Sequence, residues 1–179
     1  MTTSRPTTIE PVPLLRAAFD ALERQDFDAV VDMMVDDFRI NIAGMPTQKR
    51  GIPAWRRNIQ MMFSAFPDLR VHIQDIFAEG NLVAMRVRFT GTHRGEFLGI
   101  QPTGKRIDYL SHEIYRVENG RIAEEWICSD LMTLLTQIGG ISSTRLISMW
   151  LAGHRTWFAL AGGLLGGAAA GMALNRLLR

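Results

Sequence analysis

Two side chains of the types that move protons stand in the C-terminal half of this chain: His112 in the run KRIDYLSHEIYRV and Asp130 at the end of the run RIAEEWICSD. Removing a proton from carbon next to a carbonyl needs a base, and the resulting enolate needs a donor. A carboxylate and an imidazole are sufficient for both roles. Strict alternation along the last strand puts Ile122, Glu124, Trp126, Cys128 and Asp130 on one face. On that reading Asp130 follows a tryptophan and a cysteine into an apolar interior, where burial raises a carboxyl pKa, with Trp126 as an apolar wall. Asp is also favoured immediately before a helix, so the alternative reading of Asp130 is as the cap of LMTLLTQIG. His112 shares its face with Leu110 and Ile114 and points into a cavity as proton shuttle or carbonyl donor, or else is a satisfied core histidine. Alternation does not assign both Glu113 and Glu124, and Glu125 reads as solvent-facing. Arg86 and Arg88 read as charges on an outer face.

Other chemistries lack their residues. His112-Glu113 begins a zinc-binding HExxH pattern, but Arg116 stands where the second histidine belongs, and the segment reads as strand. His72, His93, His112 and His154 show no other metal spacing, and one cysteine builds no thiolate site. Gly91, Gly95 and Gly99 are wrongly spaced for a dinucleotide loop, and neither a nucleophile elbow nor a phosphate loop occurs. The expectation is therefore no metal and no nucleotide cofactor. The net charge of +2 and pI of about 9.1 come from scattered arginines, which excludes a nucleic-acid footprint. The single cysteine, Cys128, excludes an internal disulfide and fits a reducing compartment.

With 179 residues, 47% of them apolar and 21% charged, the chain is long enough for one domain with a real core and an appendage. Residues 1–12 are polar and proline-rich and read as a flexible arm without a secretory signal. From Pro13, Leu14, Leu15, Ala18 and Leu22 recur at helical spacing, and Asp26 caps a second helix over DFDAVVDMMVDDF. RINIAG alternates as a strand. GIPAWRRNIQMMFSAF is a third helix with Trp55, Ile59, Met62, Phe63 and Phe66 on one stripe, read as core. From Leu69 the period becomes two, predicting four strands, the last pair joined at Asn119-Gly120. Val83, Met85, Val87 and Phe89 form an inward row. LMTLLTQIGG closes as a short helix ending on a Gly pair. Helices first and a bent antiparallel sheet second is an α+β layout, a sheet curled into a cone around a pocket.

The segments FPDL at 66–69, GTHRGEFLGIQPTGK at 91–105 and IYRVENGRIAEEW at 114–126, with Asp130 and the QIGG ending, resemble the SnoaL-like polyketide cyclase (ester cyclase) family of the nuclear-transport-factor-2-like superfamily. The resemblance covers roughly 10–140, and the domain is drawn at 13–140. It implies a cone-shaped α+β fold and a cofactor-independent enzyme for proton abstraction and aldol-type ring closure, or isomerisation, of a carbonyl-containing small molecule. It also implies that Asp130, as the aspartate on the last strand, is the acid/base, that His112 assists, and that the loop carrying His93 is structural or gating; Trp126, Tyr109, His93 and Trp55 are read as substrate-binding residues. His93 falls in the loop at the expected mouth of the cone. A homo-oligomer is a further expectation. The alternative is a non-catalytic binding or oligomerising module of the same fold.

Beyond that pattern the chain continues through a linker or amphipathic segment at 141–155 into an apolar helix expected at 156–175. No charge occurs between Arg155 and Arg176, a length suited to a bilayer core. Gly163, Gly167 and Gly171 recur every four residues, a small-residue face, and Trp150, Trp157 and flanking arginines suit an interface. The segment reads as a C-terminal membrane anchor leaving the cone on the cytoplasmic side, or as a packing helix at a partner surface.

Overall fold

The structure is a computed structural model that describes residues 10–142, with 144, 147 and 148. The chain divides after Gly140, and the architecture below is that of the first unit. The expected apolar helix at 156–175 lies outside the described residues. Among the described residues no helix is long and apolar enough to cross a membrane.

Helix α1 (Pro11–Glu23) carries prolines in its first turn, where a missing N–H leaves no bond unmade, and buries Leu14, Leu15, Ala18 and Phe19. Helix α2 (Phe27–Asp32) starts at Asp26, whose carboxylate accepts the Ala29 N–H at 3.2 Å. Here the sequence reading is corrected: the second helix does not continue to Phe38 but ends at Asp32, and β1 (Met34–Ile42) takes over. Met34, Phe38 and Ile40 are buried on that strand. A strand partner available only in the tertiary fold outweighs weak local helix preference.

That partner is β6 (Arg121–Ser129), and β1 runs parallel to it. The sheet is thus mixed, where alternation alone had suggested antiparallel pairing throughout; strand direction belongs to the connection between strands, not to their side-chain period. The remaining strands, β2 (Lys49–Arg50), β3 (Arg70–Glu79), β4 (Leu82–Thr92) and β5 (Arg106–Glu118), pair antiparallel with their neighbours, giving a curved six-stranded sheet in the order β2-β1-β6-β5-β4-β3. The turn between β5 and β6 sits at Asn119 and Gly120, both with positive φ, the geometry that matches strand twist in a tight hairpin.

Helix α3 (Ile52–Ala65) packs its Trp55, Ile59 and Phe63 stripe toward the inner face of the sheet. Val83, Met85 and Val87 form the expected buried row on β4, while Arg86 and Arg88 on its other face pair with Asp75 and Asp108. Helix α4 (Leu131–Ile138) ends at Gly139 in the left-handed region, with the Gly140 N–H returning to the Leu135 carbonyl at 2.8 Å. Gln137 clips α4 to the sheet, accepting the Asp108 N–H and donating to the Asp108 carbonyl, both at 2.8 Å.

Candidate active site

The chamber of this fold is a cavity of about 140 Å³ between the inner face of the sheet and α1, α2 and α3. Its walls are mainly apolar, with Phe19, Phe38, Trp55, Met62, Phe63 and Phe89 among them. Into this lining project Glu113 and Tyr115 from β5 and Glu125 from β6, each about 5% exposed. Along β5 the inward residues are Ile107, Tyr109, Ser111, Glu113, Tyr115 and Val117, an unbroken alternation.

β6 is different, because it carries a bulge. Val117 pairs with Ile122 but Arg116 pairs with Glu124, so Ala123 is an extra residue on β6. Past such an insertion every later side chain changes face. Ile122 points inward, and so, beyond the bulge, do Glu125, Ile127 and Ser129, all of which line the chamber. Two sequence expectations are corrected by this one residue. Glu125 is buried rather than solvent-facing, and Glu124, Trp126 and Cys128 lie on the outer face rather than in the interior.

The three polar groups form one network. The Tyr115 hydroxyl donates to Glu113 Oε2 at 2.5 Å and also makes a hydrogen bond with Glu125. Ser111, itself 2.9 Å from the Ser129 hydroxyl, is a further hydrogen-bond partner of Glu113. Burial raises both carboxyl pKa values, and the neighbouring Glu113 charge adds to the rise at Glu125, which is pushed up to about 8. The donors from Tyr115 and Ser111 favour the charged form of Glu113 and offset part of that rise. A single tyrosine proton cannot serve two carboxylates. The network is complete when Glu125 keeps its own proton and donates it toward the Tyr115 oxygen. Two coupled carboxyls side by side in an apolar chamber, both with raised pKa values, can between them accept one proton and donate another.

The residues singled out from sequence are distributed differently. Trp55 and Tyr109 stand in the chamber wall, Tyr109 stacked on Phe89 with ring centroids 5.4 Å apart. His112 is exposed on the outer face of β5 with Ile114 and Leu110. Trp126 is on the same outer face, under the Arg116 guanidinium at 5.3 Å. His93 is fully buried in the base of the loop between β4 and β5, not at a mouth: its Nδ1 is 3.0 Å from the Thr103 hydroxyl and its ring packs on Phe66. Burial lowers its pKa. Among the described residues no group of three or more His, Cys, Asp or Glu side chains could hold a metal ion.

Asp130 is the N-cap of α4. Its carboxylate accepts the Thr133 hydroxyl at 2.6 Å and the Thr133 N–H at 2.9 Å, and these bonds lower its pKa. The side chain is exposed and does not line the chamber. Replacing Asp130 with Ala is expected to lower unfolding free energy by ~1 kcal/mol, seen as a melting point a few degrees lower, with proton-transfer activity retained. Loss of activity in Asp130→Asn, at unchanged melting temperature, would return the base to this position.

Glu113 and Glu125 were missed for separate reasons. Glu113 carried a usable signal, since it alternates with Tyr109, Ser111 and Tyr115. Glu125 carried none, because a bulge is invisible to alternation.

The chain matches the family described as SnoaL-like polyketide cyclase over residues 13–138. Its fold resembles AclR, a candidate hydroxylase from Streptomyces galilaeus, with 27% identity and a TM-score of 0.68, covering 75% of this chain and 99% of that one. It resembles a candidate SnoaL-like polyketide cyclase from Jannaschia sp. CCS1, with 25% identity and a TM-score of 0.70, covering 79% and 99%. It also resembles IdmH, a candidate polyketide cyclase from Streptomyces antibioticus, with 31% identity and a TM-score of 0.65, covering 73% and 99%. No curated protein matches the sequence.

Proposed function

Since the chain belongs to the SnoaL-like polyketide cyclase family, we propose that its chamber is a cofactor-independent acid/base site acting on a carbonyl-containing small molecule. The observation that carries this reading is the Glu113–Tyr115–Glu125 network inside an apolar cavity. Glu113 takes the proton from the carbon next to a carbonyl, and its raised pKa makes it a stronger base than an exposed carboxylate. Glu125, still protonated, donates to the carbonyl oxygen on which negative charge develops. Tyr115 orients both carboxyls. In a ring closure the enolate carbon then attacks a second carbonyl of the same molecule, and the acid proton goes to the oxygen of that carbonyl. In an isomerisation the proton is returned to another carbon. The base position moves with this proposal from Asp130 to Glu113, because a cap carboxylate with a lowered pKa is the weaker base.

The test is NMR-detected deuterium exchange of the activated C–H groups of neutral β-keto esters. Wild type is expected to exchange them above buffer, Glu113→Gln to lose ~10³-fold, and Tyr115→Phe to lose less, since the hydroxyl positions rather than reacts. Exchange that survives Glu113→Gln in a folded protein sinks the assignment. Exchange absent from wild type as well favours the other reading, a binding module of the same fold, for which ligand-induced stabilisation is the measurement.

A further inference from the structure

The size and charge of the chamber specify its ligand more narrowly than family membership does. A cavity of about 150 Å³ lined by apolar side chains holds one benzene ring, and this chamber measures about 140 Å³. Its floor is the sheet and its roof is α1 and α3, with Ala18 and Trp55 buried in the roof. Neither surface is a loop that could swing aside. Among the described lining residues there is no lysine, arginine or histidine. The polar groups that face the space are Glu113, Glu125, Tyr109, Tyr115, Ser129 and the Asn58 amide.

We infer that this site takes a neutral carbonyl compound of one ring or its open-chain equivalent, on the order of ten non-hydrogen atoms, and excludes both carboxylates and multi-ring substrates. The inference rests on the acid/base reading for the carbonyl and on the cavity alone for size and charge. A carboxylate entering the chamber would lie beside Glu113 with no cation to neutralise it, and would bind only by taking up a proton. An ester of the same length meets no such obstacle: its carbonyl oxygen accepts from Glu125 or from the Asn58 amide, and its alkyl group meets apolar wall. A four-ring aromatic exceeds the space severalfold.

Binding, measured without turnover, separates this inference from the reaction. Three probes are titrated at pH 7.5 against the full chain and followed by ligand-observed NMR: ethyl acetoacetate, acetoacetate of the same acyl length, and a naphthacenequinone ester with four fused rings. Ethyl acetoacetate is expected to bind at least 30-fold more tightly than acetoacetate, and the four-ring ester not to bind in the chamber. Glu113→Gln, which removes the repelling charge, is expected to narrow the ester-to-acid ratio at least tenfold. Ala18→Leu, which fills the roof of the chamber, is expected to abolish ester binding while melting near wild type. Equal binding of acid and ester, four-ring binding that Ala18→Leu abolishes, or no binding by the ester at all overturns the inference. Selective ester binding without any deuterium exchange leaves it standing and removes the catalytic reading instead.

Discussion

Replacing Glu125 with Gln is expected to yield a protein that is more stable and nearly inert. Folding buries a carboxyl whose pKa rises from an ordinary 4.5 to about 8, chiefly through desolvation and then through the Glu113 charge. Between those two values the folded state holds more protons at this site than the unfolded chain. The stability Glu125 contributes is therefore full below pH 4.5 and declines as pH rises, until it is gone above about 8. Gln is neutral throughout, matches Glu in shape and still offers an N–H to Tyr115. The variant should melt about 5 °C or more above wild type at pH 8, and the gap should close toward pH 5. Its amide can hydrogen-bond a carbonyl but cannot hand over a proton, so exchange and turnover should fall by ~10²-fold. The wild-type rate should decline above about pH 8 as Glu125 ionises, and that alkaline limb should vanish in the variant. A variant that melts lower at every pH, with its activity intact, would show that Glu125 is a structural group.

The second large effect lies outside the chamber. Gly95 sits where the loop after β4 crosses the C-terminal end of α3, and a Cβ built there would lie 2.1 Å from the Ser64 carbonyl oxygen and 2.8 Å from its carbon. Both are backbone atoms, so no rotamer relieves the contact. The loop is held at that point by two bonds, the Arg94 N–H and the Gly95 N–H donating to the Ala65 carbonyl at 2.9 and 3.0 Å. Gly95→Ala must lift the loop off the helix, break these bonds and withdraw Phe97 from its packing on Phe66, whose ring is 5.3 Å away. The expected cost is ~3 kcal/mol or more, read as a melting point lower by roughly 10 °C or as insoluble expression. A melting point within about 2 °C of wild type would show that the loop yields without losing its core contact.

The GTH segment that most strongly resembles the family is, in this light, a packing device. His93, Gly95 and Phe97 hold the loop against the end of α3 and are not among the residues that line the chamber. Its recognisable pattern reflects close backbone approach and a buried imidazole. The proposed acid/base groups lie instead on β5 and β6, outside that loop.

What the sequence by itself determined was whatever depends on neighbours within a few residues. Helical stripes at Leu14–Leu22 and Trp55–Phe66, the inward row Val83–Phe89, the Asn119-Gly120 turn and the Gly139 cap all follow from local period and backbone preference, and the structure has each of them. The α+β class followed from their order, and the family resemblance from the FPDL, GTHRGEFLGIQPTGK and IYRVENGRIAEEW segments. Tertiary structure alone decided two things. It made Met34–Ile42 a strand, because a parallel partner in β6 is supplied from far along the chain. And it turned Glu125 inward, because Ala123 is left over when β6 is paired with β5. A one-residue slip reverses the facing of every side chain beyond it, and which residue is left over is settled only when two strands are laid together.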